Sequence, residues 1–245
     1  PTAMMFRNLA ALAVEETIRG QPVDGVVLMG GCDKTTPSLM MAAASCDLPA
    51  IVVTGGVMEA GPGLLTLEQI GAYSAMYRRG GISQEQLAYY KRHACPTCGA
   101  CSFMGTAATM QIMAEALGLM LPGSALMPAT HKDLEGVAYE AGRQAVWLAQ
   151  RELRAGDIIT RESFENAVMV HAAISGSTSS LLHIPAIAHE FGIQVDGDFF
   201  DRIHRQVPYL VDIRPAGAWP AQYFYHAGGV PRVMEELQSL LHLDA

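Results

Sequence analysis

The chain has 245 residues, half of them hydrophobic and 16% charged, with a formal net charge of −8 at pH 7. That much apolar material at this length builds a sizeable core and excludes a disordered chain. The acidic balance, with no block of Lys and Arg, speaks against a nucleic-acid or membrane-surface partner and leaves small-molecule chemistry open.

The opening segment "PTAMMFRNLAALAVEETIRG" has neither a basic flank before an apolar core nor a small-residue cleavage site. No secretory leader is expected, and the start at Pro1 reads as a cut within a longer polypeptide. Cys32, Cys46, Cys95, Cys98 and Cys101 form an odd set, so a disulfide framework is not expected and a reduced, cytoplasmic setting is. Apolar stretches such as "EALGLMLPGSALMPA" are broken by Pro and Gly before they reach membrane-spanning length, which predicts a soluble protein.

In chain order, "VDGVVLMG" (24–30) and "AIVVTG" (50–55) are short apolar runs bounded by turn residues, the pattern of buried strands. Between them "TTPSLMMAAASC" predicts a helix with Thr36 as N-cap and Pro37 in the first turn. The three elements make a β-α-β unit. Ligands of open parallel sheets bind beyond the carboxyl ends of the strands, so Gly31-Cys32-Asp33-Lys34 lies where such a fold builds sites.

Residues 66–83 predict an amphipathic helix stopped at Gly80-Gly81, and "SQEQLAYYKRHA" predicts a second one leading into "CPTCGAC". "TAATMQIMAEALGLML" reads as a helix buried on most faces and "LEGVAYEAGRQAVWLAQREL" as a long amphipathic one. A helix opened by Thr160 and Glu162 breaks at "SGSTSS" and resumes, after which "YLVDI" is a strand candidate and "GGVP" introduces a last helix. With no internal repeat and no linker, residues 1–245 read as a single α/β domain. Its expected form is a helix-rich parallel sheet flanked by helices, with the site at the C-terminal ends of the strands.

The run "CPTCGAC" admits several chemistries. Structural zinc would need a fourth ligand, for which His93 or Cys46 could serve. A thioredoxin-like dithiol could use Cys95 and Cys98, although the third thiol and the Gly99-Ala100 step fit it poorly. A ferredoxin-type cluster would want a further Cys-Pro, which does not follow. Alternatively, Cys32 and one cysteine of the later run ligate one iron-sulfur cluster from separate loops.

"GGCDKTTPSLMMAAASCDLPAIVVTGG", "CPTCGACSFMGTAATMQIMAEALGLMLPG" and "HAAISGSTSSLLHIPAIA" together resemble the dihydroxy-acid dehydratase and phosphogluconate dehydratase family, which includes sugar-acid dehydratases. The resemblance implies a truncated N-terminal domain of a hydro-lyase that removes water from a 2,3-dihydroxy carboxylate to give a 2-oxo acid. It implies an iron-sulfur cluster, commonly 2Fe-2S with 4Fe-4S as the alternative, beside Mg²⁺. Cys32 and Cys101 match cluster cysteines, Asp33 matches a Mg²⁺ ligand, and Lys34 matches a lysine that is carbamylated and ligates the same ion. A carbamate is an oxygen-donor anion suited to a hard cation, which an ammonium is not.

In the implied mechanism an iron with an open coordination position acts as Lewis acid on the C3 hydroxyl while a base removes the C2 proton. Ser177 and Thr178 are the substrate-binding candidates, because hydroxyls and N–H groups at a helix start suit a carboxylate. No catalytic residue is assignable in this chain. The remaining cluster cysteine, the other Mg²⁺ ligands and the serine base belong to parts of the family's longer proteins that lie upstream or downstream.

The family usually has Thr-Ala-Asn where this chain has Thr106-Ala107-Ala108, and Gly-Ser-Thr-Asn where it has Gly176-Ser177-Thr178-Ser179. "GGCDKTTPS" leans towards the sugar-acid branch and away from the branched-chain amino-acid biosynthesis branch. A homo-oligomer is implied for full-length members. The competing reading is a non-catalytic or partner-dependent metal-binding subunit of the same fold. His171, His183 and His189 fall near the "SGSTSS" break, where one could reach the pocket, but a lone helix histidine is ordinarily a packing residue and that is the expected reading.

Overall fold

A computed structural model describes residues 3–245. Helix α1 (Ala3–Arg19) packs along helix α2 (Thr35–Cys46), burying Ala11 and Ile18 and turning the buried Arg7 to Leu182 and His183, while Met5, Phe6, Leu9 and Leu12 stay exposed. Strands β1 (Val26–Gly30) and β2 (Ala50–Thr54) flank α2 in sequence and pair in parallel, in register from Val26 against Ala50 to Gly30 against Thr54. The β-α-β unit forms because α2 is apolar on nearly every face and is buried from Thr36 to Ala44.

Helix α2 starts one residue before the expected cap. Lys34 occupies the N-cap position and makes no side-chain cap bond, and the buried Thr36 hydroxyl has no hydrogen-bond partner among the described residues. The helix gains its first-turn acceptors from the loop itself, since Thr36 N–H donates to the Cys32 carbonyl and Ser38 N–H to that of Lys34.

Helices α3 (Gln69–Arg78) and α4 (Gln84–His93) form a hairpin in which Tyr73 stacks on Tyr90 and Ser83 caps α4 with a reciprocal bond from Gln86. Helix α5 (Thr106–Ala116) is buried from Ala107 onward and forms the centre of the core with Met110, Ile112 and Met113. Helix α6 (Leu134–Gln150) covers the other face of the sheet, packing Ala141 and Ala145 on Ile51 and Val53. It reaches β2 more than β1, so Met29 remains 70% exposed on the uncovered side.

The remaining helices are α7 (Ala155–Ile158), α8 (Arg161–Ala173), α9 (Ser180–Glu190), α10 (Gly197–His204), α11 (Gln222–His226) and α12 (Gly229–Glu236). Thr160 caps α8 as expected, in partnership with Ser163. Segment 209–213, "YLVDI", is not a strand. Its backbone is taken up partly by the end of α8, where Leu210 N–H donates to the Ala173 carbonyl, and partly by a local loop in which Trp219 N–H donates to the Asp212 carbonyl, and an isolated bridge joins Ile213 to Trp219. The result is a helix-rich α/β fold around a two-stranded parallel sheet. No helix among the described residues is long and apolar enough to cross a membrane.

Candidate functional site

Two loops meet beyond the carboxyl ends of the strands. β1 delivers Gly31-Cys32-Asp33-Lys34 into the start of α2, and β2 continues into Gly55-Gly56-Val57. The loops are tied together by Gly55 N–H donating to the Gly30 carbonyl (3.3 Å) and by the buried Gln111 amide of α5, whose Nε2 donates to the Gly31 carbonyl at 2.9 Å and lies 3.5 Å from that of Gly56. Adding a Cβ at Gly31 would bring it to 3.2 Å from the Gly55 nitrogen, so the close approach favours glycine.

The cysteine run is pinned to the second loop. Ala100 N–H donates to the Gly56 carbonyl (3.0 Å) and Met58 N–H to the Ala100 carbonyl (2.7 Å), an isolated parallel bridge centred on Val57. Gly99 makes this possible at φ +115°, where a Cβ would meet the Met58 nitrogen at 2.6 Å. Cys101 is thereby carried beside the Cys32 loop. Partial burial pushes its thiol pKa up, with further upward contributions from Cys32, Cys95 and Asp33. All five cysteines are free, and Cys32, Cys95 and Cys98 are exposed.

Cys46 stands elsewhere. It ends α2, twelve residues and about 18 Å along the helix from the site, with its Sγ 3.9 Å from the Glu15 carbonyl. His93 uses Nδ1 on the Tyr89 carbonyl of its own helix at 2.7 Å. Cys46 is too far along α2 to supply the fourth ligand of a zinc site built on "CPTCGAC", and no cluster of three or more His, Cys, Asp or Glu among the described residues is disposed to hold a metal ion unaided.

Asp33 is the electrostatic centre of the first loop. Its Oδ1 lies 2.9 Å from Lys34 Nζ and 3.6 Å from His183 Nε2 of α9. His183 is 0% exposed, and its other nitrogen lies 3.3 Å from the buried Arg7 guanidinium. Burial, followed by the positive charges of Lys34 and Arg7, lowers the His183 pKa to about 4. Neither Arg7 nor Gln111 stands out in the sequence; Arg7 is a long polar side chain among the apolar buried residues of α1, and Gln111 shares the buried surface of α5 with Glu115 one turn on.

Ser177 is gathered against the same end of α5. Its hydroxyl lies 2.9 Å from Thr106 Oγ1, its N–H donates to Thr109 Oγ1 (3.0 Å), and its carbonyl accepts from His171 Nε2 (3.2 Å). The two motifs that depart from the family pattern therefore touch each other. Thr178 is exposed at the following turn, where its carbonyl accepts from Leu181 N–H.

The donor set suits the cofactors that the resemblance implies without completing either site. The two loops bring Cys32 and Cys101 to one strand end, and Asp33 with Lys34 offers a carboxylate and an amine at one point. Residues 2–245 match the N-terminal domain of the dihydroxy-acid/6-phosphogluconate dehydratases. The chain is 46% identical to the L-arabinonate dehydratase of Rhizobium leguminosarum bv. trifolii, with all of this chain and 43% of that protein covered. It is 40% identical to the dihydroxy-acid dehydratase of Halothermothrix orenii (99% and 45% covered) and 40% identical to the D-xylonate dehydratase of Caulobacter vibrioides (100% and 42% covered). It spans less than half the length of each of these relatives. The chain belongs to the dihydroxy-acid/6-phosphogluconate dehydratase family, and its residues match that family's N-terminal domain.

Proposed function

We propose that this chain supplies the cofactor-holding half of a hydro-lyase that converts a 2,3-dihydroxy carboxylate of the sugar-acid class to a 2-oxo acid. The observation that carries the reading is the meeting of the Cys32-Asp33-Lys34 loop with the Cys101 loop beyond the ends of β1 and β2, in a chain matched along its length by dehydratases. The sugar-acid class is favoured because relatives named for L-arabinonate and D-xylonate stand among the matches and because Thr35 follows Lys34.

In this reading Cys32 and Cys101 hold an iron-sulfur cluster, 2Fe-2S in preference to 4Fe-4S, while Asp33 and a carbamylated Lys34 hold Mg²⁺. The cluster, when bound, would supply a Lewis-acidic iron for the departing hydroxyl. The chain's own residues would set the geometry: Gln111 holds the two loops at fixed separation, and Gly99 lets the Cys101 loop lie flat against Val57. The turn at Ser177 and Thr178 faces the start of α5 and is the candidate seat for the substrate carboxylate, with the Ser177 hydroxyl held towards Thr106. The remaining ligands and the base would come from the rest of a longer polypeptide, so the isolated 245 residues are expected to show no turnover.

The test is anaerobic purification followed by iron, sulfide and zinc analysis of wild type, Cys32→Ser and Cys101→Ser. Loss of iron and sulfide in both variants supports one cluster shared by the two loops. Zinc retained by both variants would overturn the reading, and iron retained by both would overturn the ligand assignment.

A further inference from the structure

Arg7, in α1, is almost fully buried, and among the described residues its guanidinium bonds uncharged groups: Asn8 Oδ1 (3.0 and 2.8 Å), the Leu182 carbonyl (2.9 Å) and His183 Nδ1 (3.3 Å). A guanidinium has donors and no acceptor. The contact to His183 therefore requires a bare Nδ1 that accepts from Arg7. A doubly protonated ring would turn an N–H against an N–H and a cation against a cation, so the ring is neutral and its one proton sits on Nε2. Nε2 in turn is buried, has no hydrogen-bond partner among the described residues and faces Asp33 Oδ1 at 3.6 Å.

These contacts form a line from Arg7 through His183 to Asp33 and Lys34, crossing from α1 through α9 to the β1 loop. We infer that His183 is a positioning residue for Asp33. Arg7 fixes its tautomer, and its Nε2–H, aimed at Oδ1 from 3.6 Å, draws that oxygen to the inner side of the loop so that Oδ2 is left for a cation.

The geometry carries this in three ways. Both the Lys34 and the His183 contacts fall on the same oxygen, Oδ1. A buried donor with no partner gains whenever that oxygen moves into bonding range, so the ring pulls the carboxylate to one orientation. Because the ring is locked by a residue that does not touch the loop, the orientation survives exchange of whatever occupies the site. The same tautomer excludes His183 as a proton acceptor towards the site, since its only free lone pair is engaged by Arg7.

The inference rests on the proposed role of Asp33 as a metal ligand only in its last step, and the experiment separates the two. In the 245-residue chain, long-range ¹H–¹⁵N correlation of the histidine rings at pH 7 should show His183 as the pure Nε2–H tautomer. Arg7→Met should relax it towards a mixture, and Asp33→Asn should shift its Nε2–H resonance. An Nδ1–H ring, a charged ring, or an Nε2–H signal indifferent to Asp33→Asn would overturn the inference with no metal present.

Mn²⁺ is the probe for the last step, followed by paramagnetic broadening in the longer polypeptide that carries the remaining ligands, with circular dichroism confirming that each variant folds. His183→Met should weaken Mn²⁺ binding about 10–100-fold, the usual effect of losing a group that orients a metal ligand. His183→Gln, which keeps an N–H in the place of Nε2, should restore much of the loss. If Asp33→Asn leaves Mn²⁺ binding unchanged, the metal reading of Asp33 fails and the tautomer result alone decides for or against positioning. If Asp33→Asn abolishes binding while His183→Met does not alter it, positioning fails and the metal reading stands.

Discussion

His171 and His183 are two buried histidines a dozen residues apart, 2% and 0% exposed, and burial brings both pKa values to about 4. They differ in what their nitrogens meet. His171 has both engaged: Nε2 donates to the Ser177 carbonyl at 3.2 Å, and Nδ1 lies 3.2 Å from His204 Nε2, with the two rings stacked. His183 has one nitrogen against a cation and the other facing a carboxylate that it does not reach. Burial is the largest cause of the lowered pKa in both, and the partners decide whether the ring is a latch within the fold or an arm extended to a site.

The largest expected effect breaks the latch. His171→Ala removes a buried ring and leaves the Ser177 carbonyl without its donor, so a loss of about 4 kcal/mol is expected from the combined cavity and unpaired-group costs, read by urea unfolding at pH 7. His183→Gln, which keeps a polar donor in place, should cost clearly less. Equal losses would erase the distinction between the two rings.

Next in size is a pH dependence. The His171 pKa is near 6.5 when the chain is unfolded and about 4 when it is folded, so between those values the unfolded chain binds more protons. The neutral ring's contribution is therefore complete above pH 6.5 and is lost progressively as pH falls towards 4, by about 3 kcal/mol in all. Unfolding free energies measured from pH 7 to pH 4 should fall less steeply in His171→Gln than in wild type; parallel slopes would mean that the ring is not buried as a neutral group. The groups that surround it are the Ser177 carbonyl, His204 and the Phe200 ring, none of them an anion that would oppose the shift.

A smaller effect comes from the turn that the latch holds. A Cβ at Gly176 would lie 2.5 Å from His171 Cδ2 and 2.6 Å from Nε2, and the ring is fixed on both sides. Gly176→Ala should cost about 2 kcal/mol by overpacking and should shift the Ser177 amide resonance, whereas the loop at Asp33 should not respond.

Much of this arrangement was legible in the sequence. The strands, α2 and the cysteine run announce themselves by apolar runs, turn residues and the spacing of thiols, and the place of Cys32 follows from the rule that parallel sheets build sites at their carboxyl ends. Helix α1 escaped the apolar pattern because Met5, Phe6, Leu9 and Leu12 lie on its exposed face while Arg7 is buried, the inverse of the usual stripe. Helix α10 also escaped, although Asp196 caps it through the Phe199 N–H and was the readable mark of its start. "YLVDI" misled because apolar alternation states a preference, and strand formation also needs a neighbour to pair with. Pairings such as Arg7 with His183 or Gln111 with the Gly31 carbonyl span 80 residues or more and leave no local trace.

The finest test concerns the hydroxyl pair that joins the two motifs departing from the family pattern. Thr106 Oγ1 and Ser177 Oγ are 2.9 Å apart, and Ser177 Oγ also accepts from Ser179 N–H at 3.3 Å. Each of Thr106→Val and Ser177→Ala should cost about 1 kcal/mol, and the double variant should cost less than the sum, because the second change removes a group already left without its partner. If the latch at His171 sets the position of Ser177, the coupling energy between positions 106 and 177 should shrink in the His171→Ala background and stay unchanged in His183→Gln. A coupling that survives loss of His171 would show that α5 alone positions the serine, through the Thr109 hydroxyl that accepts its N–H, and the comparison between the two histidines would then concern stability without reaching the substrate turn.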